Sequence, residues 1–376
     1  MVLVSIDEAR ETAKRIISSL GHSHKDTDAI VKVLMYGMHA TLFYSACLQV
    51  RRAAELRGNS QGLVKLTGSG LSMLVPDQHC EPISVIKQSP ATLLLNGGLQ
   101  PGIVVMHELL ERGIPLARQS GVAVVGSCRT CTTTGAIGYF ADAAARAGLV
   151  SLIFAGSPPA VATYGGSSRL FGTNPLAVGI PVANLDPIVL DMATSAMAYF
   201  AVMQAREAGA LLPRNVAYDK SGLETRDPAA ALEGALRTFD ATPKSAALAL
   251  VIEGARSEEM LLIVILMHIV LCLALTGPLV HAAFAGIGDR DNWGNIMILI
   301  DPAAFTGDHS RFVTEMSRLV SQVKSSRRLP GIRELFVPGE RGNAAAKAAL
   351  ADGRIEIETN IWNEIKMRAD GLISKL

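Results

Sequence analysis

The chain has 376 residues, 49% of them apolar and 18% charged, a composition that buries a large core and excludes intrinsic disorder. Thirty-five Lys and Arg against 34 Asp and Glu leave a formal net charge of +1. With no basic tract, nucleic acid is not expected as a partner. Five cysteines, an odd number, do not make a disulfide framework in a chain this long and point to reduced thiols in an intracellular compartment.

The N-terminus, Met1 to Glu8, lacks the basic start and apolar core of a secretory signal. Ser5-Ile-Asp-Glu8 is a capping box, and Ala9, Ala13, Ile16, Ile17 and Leu20 follow at helical spacing. A second helix is expected after Thr27, with Ile30, Val33 and Leu34 on one face. Gly58 to Gln88 is mixed and turn-rich. From Ala91 strands and helices alternate: Ala91–Leu95 (strand), Ile103–Gln119 (helix), Gly121–Gly126 (strand), Gly135–Ala147 (helix), Leu149–Ala155 (strand), Pro187–Leu190 (strand) and Ala196–Ala208 (helix). This order implies an α/β core. Prolines and glycines make Gly156 to Pro175 loop-rich.

Met260 to Gly288 contains no Asp, Glu, Lys or Arg, and Leu261 to Leu275 is apolar apart from His268. Alone it has the length of a membrane span. It is a single segment inside the α/β region, interrupted at Pro278, so a buried or interface helix is the preferred reading and no membrane is expected as a partner. The chain closes on Ser374-Lys375-Leu376, a receptor-read peroxisomal (or glycosomal) address that would arise by chance in roughly one chain end in 8,000. Without that address the expected location is cytoplasmic.

Five ordered matches fill the middle and end of the chain: Phe171-Gly-Thr-Asn-Pro-Leu-Ala177, Val189-Leu-Asp-Met-Ala-Thr-Ser195, Asp227-Pro-Ala-Ala-Ala231, Asn292-Trp-Gly294 leading into Ile300-Asp-Pro-Ala-Ala-Phe305, and Val337-Pro-Gly-Glu340. Together they resemble the malate/L-lactate dehydrogenase superfamily, whose members include ureidoglycolate, sulfolactate and diketogulonate dehydrogenases and some cyclic-imine reductases. The resemblance implies an α/β fold with a non-Rossmann nicotinamide-binding domain over residues 86–285. It also implies a helical N-terminal part, 1–85, packing with 286–376. In agreement, no Gly-x-Gly-x-x-Gly turn joins a strand to a helix. It further implies NAD or NADP as cofactor, a small 2-oxo or 2-hydroxy acid as partner, a homodimer and no metal.

Asp191 is expected to end a strand and Met192, Ala193, Thr194 and Ser195 to open a helix, where backbone N–H groups and hydroxyls suit a diphosphate; a plain N-cap at Thr194 or Ser195 is the alternative. The resemblance adds Ser157, Lys244 and the Pro338-Gly339-Glu340 turn to the cofactor-binding set. A turn serine, a surface lysine and a surface turn are the plain readings of the same residues. An insertion of about 18 residues after Glu253 interrupts the family pattern.

Reduction of a 2-oxo acid needs a proton donor, for which histidine is suited, and a carboxylate clamp, for which arginine is suited. Aligned with the family, Ser45 and Thr133 stand where histidines are usual, and Gln49 where an arginine is usual. Ser45 and Thr133 are therefore the candidate catalytic positions, each able to hydrogen-bond a carbonyl. Tyr44, Tyr139 or Lys244 are substitute acids, and Arg51, Arg52 or Arg129 substitute clamps. Cys128-Arg-Thr-Cys131 falls in the same loop as Thr133 and is read as part of it rather than as a redox or zinc motif. These replacements leave two readings open: an oxidoreductase with altered chemistry, including reduction of a cyclic-imine carboxylate, or a catalytically impaired homologue that keeps fold and dimerisation.

Overall fold

The computed structural model describes residues 1–40, 61–163, 165–237, 293–328, 330 and 333–371. Strand β1 (Val2–Ser5) leads into helix α1 (Ile6–Ser18), where the Ser5 hydroxyl accepts the Glu8 N–H at 3.0 Å and Ala9, Ala13, Ile16 and Ile17 are buried. Helix α2 (His24–Ala40) starts before the expected Thr27, because Ser23 caps it by accepting the Asp26 N–H at 3.1 Å. Two 3₁₀ turns, Leu63–Leu66 and Gly68–Leu74, and strand β2 (Ser84–Gln88) occupy the stretch read as turn-rich.

The alternating elements follow as β3 (Thr92–Asn96), α3 (Gly102–Ser120), β4 (Val122–Thr130), α4 (Gly138–Arg146) and β5 (Val150–Ala155). The region read as a loop holds two short strands, β6 (Val161–Ala162) and β7 (Arg169–Phe171). Next come β8 (Leu176–Ile180), β9 (Ile188–Met192), α5 (Tyr199–Glu207), β10 (Ala217–Tyr218), α6 (Pro228–Glu233) and β11 (Ala235–Leu236). The last described stretch is β12 (Trp293–Ile300), α7 (Ala303–Thr306), α8 (His309–Ser325), α9 (Glu340–Asp352), β13 (Arg354–Ile357) and α10 (Thr359–Ala369).

The main sheet has the order β2-β3-β4-β12-β5-β8-β9. Only β3 and β4 are parallel; every other neighbouring pair is antiparallel. This is an α/β sheet without Rossmann topology. Strand β12 is central and buries residues on both faces, as the period of two requires. Met297 and Leu299 join the core made with α1 to α4, whereas Ile296 and Ile300 join a second core with Phe312, Met316 and Val320 of α8. A smaller four-stranded sheet, β10-β11-β6-β7, carries a third core around Val161, Val202 and Leu236. At the other end β1 and β13 pair antiparallel, α1 packs on α10 and α2 on α9, tying the N-terminal residues to the C-terminal ones.

Candidate active site

Register places several loops at one end of the main sheet. Thr130 faces Trp293, Asn295 faces Ala155, Phe154 faces Leu176, and Leu176 faces Met192. The chain therefore leaves β4, β5 and β9, and enters β8 and β12, at the same edge. Most candidate residues lie on these connections.

The connections are stitched by hydroxyls. Ser157 Oγ lies 3.1 Å from Thr173 Oγ1 and accepts the Asn174 N–H at 3.2 Å. The Thr194 N–H donates to the Thr173 carbonyl at 2.9 Å, and its hydroxyl reaches the Thr173 and Asn174 carbonyls at 3.0 and 3.1 Å. Gly172 is required there, since a Cβ would fall 2.2 Å from the Ser157 carbonyl oxygen. Ser195 is buried and its hydroxyl donates to the Met197 carbonyl at 2.7 Å.

These bonds correct one expectation. Met192 to Ser195 do not open a helix: β9 runs through Met192, and α5 begins only at Tyr199, with Ala198 as an N-cap that makes no side-chain bond. The N–H and hydroxyl of Thr194 are spent on carbonyls of the neighbouring loop, which keeps the chain extended. Met192 and Ala193 are buried. No helix-start cradle for a diphosphate exists at this segment.

Asp191 is half-buried and accepts the Gly138 N–H at 2.8 Å, so its carboxylate sits on the N-terminus of α4. Burial raises its pKa from the usual 3.8 to about 6, against the lowering effect of that N–H. Burial holds the hydroxyl of Tyr36 on α2 well above its ordinary pKa, and the negative charges of Asp142 and Asp191 add to the shift. Thr133 precedes α4 in the loop after β4. Its hydroxyl accepts the Gly135 N–H at 3.0 Å, and its carbonyl accepts the Ile103 N–H of α3 at 3.0 Å. The same loop bends through left-handed backbone at Arg129 (φ 51°) and at the β-branched Thr132 (φ 53°). Arg129 pairs with Glu81 at 3.4 Å, and the Tyr139 ring packs against Tyr36, His107 and Phe140.

The Pro338–Glu340 turn lies along the edge strand, two residues behind Asp191. The Val189 N–H donates to the Pro338 carbonyl at 3.1 Å, and Glu340 caps its own turn by accepting the Val337 N–H. Ser45 and Lys244 lie outside the described residues, as do Tyr44, Gln49, Arg51 and Arg52, the apolar stretch Leu261–Leu275 and the Ser374–Leu376 tripeptide. Among the described residues no helix is long and apolar enough to cross a membrane, and no group of His, Cys, Asp and Glu is placed to hold a metal.

Sequence reasoning missed Lys65. It is 1% exposed, and its amine lies 4.1 Å from the centre of the Phe200 ring on α5. Burial lowers its pKa from 10.5 to about 7. Its one sequence signal is a lone lysine inside the apolar run Leu63-Val-Lys-Leu66.

The hydroxyls of Ser157, Thr173 and Thr194 and the Asp191 carboxyl lie at the same end of the main sheet. None of the four carries the positive charge a diphosphate needs.

Residues 44–366 match the family model described as malate/L-lactate dehydrogenase. The chain is 31% identical over 318 residues to an L-sulfolactate dehydrogenase of Methanocaldococcus jannaschii, covering 83% of this chain and 86% of that protein. It is also 31% identical to an NAD(+) ureidoglycolate dehydrogenase of Escherichia coli K12, covering 82% and 84%. A crystal structure of malate dehydrogenase from Entamoeba histolytica superposes with a TM-score of 0.77 at 19% identity over 98% of both chains, which is a likeness of fold.

Proposed function

The chain belongs to the malate/L-lactate dehydrogenase family, and from that premise we propose that it is an NAD(P)-dependent oxidoreductase interconverting a small 2-oxo acid and its 2-hydroxy acid. The observation that carries this reading is the convergence of Ser157, Asp191 and Thr194, with the Thr133 loop next to them, at one end of the sheet. The nicotinamide, when bound, supplies or accepts the hydride. The Ser157–Thr173–Thr194 network sets the loops that would flank its ribose and carboxamide, and Asp191 fixes the start of α4 and thereby the loop that carries Thr133. Thr133 and Ser45 face the substrate and hydrogen-bond its carbonyl oxygen; neither hydroxyl gives up a proton readily near neutral pH. Asp191 is the titratable group of the described cluster whose charge changes close to neutrality. Lys244 offers the phosphates a compact positive charge, and Pro338 to Glu340 flank the adenosine side.

Fluorescence titration with NADH and NADPH, followed by oxidation assays on a panel of 2-oxo acids and cyclic imines, tests the reading. Binding with turnover of a 2-oxo acid is expected. Tight binding without turnover across the panel favours the impaired homologue, for which the replaced histidines already speak. Failure of both cofactors to bind removes the proposal. Two finer readings go with it: the protein is a homodimer, checked by sedimentation, and Ser374–Leu376 directs it to a peroxisome or glycosome, checked by the location of a fluorescent fusion with and without the tripeptide.

A further inference from the structure

Three thiols around the loop after β4 have no part in the proposed reaction. Cys128 and Cys131 have the spacing of a redox pair, yet they diverge. Cys128 is buried in the sheet and points its sulfur at the Leu95 carbonyl of β3, 3.7 Å away. The left-handed turn at Arg129 lies between them. The Cys131 sulfur lies instead against the Thr132 hydroxyl at 3.8 Å and faces the backbone N–H of Asp77. Asp77 opens a tight turn closed by the Cys80 N–H on the Asp77 carbonyl at 3.0 Å, and Cys80 at its end is exposed.

Backbone bonds hold that turn to the loop. The Glu81 N–H donates to the Gly98 carbonyl at 2.7 Å, the Gln100 side chain donates to the Glu81 carbonyl at 3.0 Å, and the Cys131 N–H donates to the Gln100 carbonyl at 3.1 Å. The Glu81–Arg129 ion pair spans the same gap. Cys80 is close enough to oppose ionisation of Cys131. Tertiary structure thus sets Cys131 beside the turn that ends at Cys80, 51 positions away in the chain, while the Cys128 sulfur points to β3.

We propose that Cys80 and Cys131 form an oxidisable dithiol that a hydroperoxide converts to a disulfide. The exposed Cys80 thiolate attacks the outer peroxide oxygen. The O–O bond breaks, the alcohol or water leaves, and Cys80 becomes a sulfenic acid. The Cys131 sulfur then attacks the Cys80 sulfur, the S–O bond breaks, and water departs with the thiol proton. Two electrons and two protons pass from the thiols to the peroxide. Burial pushes the Cys131 thiol above its ordinary pKa, so the exposed Cys80 and not Cys131 is the thiol that meets the peroxide first. The bond ties the 77–80 turn to the loop that bears Thr133.

The test is hydrogen peroxide on the folded full-length chain, alkylation of the remaining thiols, and mapping of crosslinked peptides by mass spectrometry. A Cys80–Cys131 peptide pair lighter by two hydrogens is expected. It should vanish on treatment with dithiothreitol, be absent in Cys80→Ser and persist in Cys128→Ser. Cys80 is at the surface, so its variant folds. The proposal is overturned if Cys80 proceeds to sulfinic acid while Cys131 stays alkylatable, if Cys131 pairs with Cys128, or if crosslinks form only between chains.

Discussion

Lys65, buried, and Asp191, half-buried, are ionisable residues whose environments penalise their charged forms, and each leaves a pH signature of known sign. The Lys65 amine has a folded pKa of about 7 against 10.5 when free. Between these values the unfolded chain binds the extra proton, so stability rises with pH through that window and the penalty is complete below it. The penalty is on the order of a few kcal/mol, reduced by the attraction of the Phe200 ring for the ammonium. Lys65→Met keeps the volume and removes the charge. Urea unfolding should show it more stable than the parent at pH 7, with the gap closing towards pH 10; a constant gap would contradict the assignment. Asp191 behaves oppositely. Its folded pKa of about 6 exceeds the free value of 3.8, so the folded state binds the extra proton and stability falls as pH rises through that range. Asp191→Asn keeps an acceptor for the Gly138 N–H. It should flatten the dependence of melting temperature on pH between 4 and 6, a difference on the order of 2 kcal/mol at the upper end. Asp191 was visible in the sequence through the string it belongs to. Lys65 was not, because nothing local says that a lysine among apolar neighbours is covered on all sides.

At the scale of elements, legibility followed the strength of the local pattern. Helices α1 and α3 and strands β3, β5 and β9 stand where periodicity puts them, each with an apolar face or run bounded by a cap, glycine or proline. The helix expected at Met192 fails because Thr194 has a stronger option: tertiary carbonyls of Thr173 and Asn174 that no local rule anticipates. Strand β8, Leu176 to Ile180, is buried along its whole length, as a strand covered on both faces must be, and directly follows a proline- and glycine-rich stretch that reads as loop. The Pro338–Glu340 turn offers a sharp test of element placement. Gly339 has φ 85°, and a Cβ there would stand 3.1 Å from the Val189 nitrogen of β9. Gly339→Ala should therefore cost about 1–2 kcal/mol through strain and lift the turn off the strand. Chemical denaturation reads the first effect. If the turn flanks the adenosine side as proposed, the KM for the cofactor rises while kcat holds.

The whole molecule depends on a strand that comes late in the chain. Strands β4 and β5 are joined through α4 yet do not touch; β12 lies between them and pairs with both along nearly its full length. Sequence periodicity identifies strands but not their neighbours, so this insertion was illegible even though the string around Trp293 to Ile300 was noticed. Its consequence is that a unit cut at residue 285 lacks the centre of its own sheet: Leu152, Val125 and Phe154 would lose the apolar cover that Ile296, Met297 and Leu299 supply. A fragment of residues 86–285 should accordingly show no cooperative thermal transition and should bind a dye that reports exposed apolar surface. The full chain should melt with tertiary and secondary signals together. Within the full chain, Leu299→Ala should cost about 2–5 kcal/mol, because Leu299 is fully buried and the strands on either side leave little room to collapse. A cooperatively folded 86–285 fragment would mean that β4 and β5 close on each other without β12, and the central strand would then be an addition to the sheet instead of its keystone.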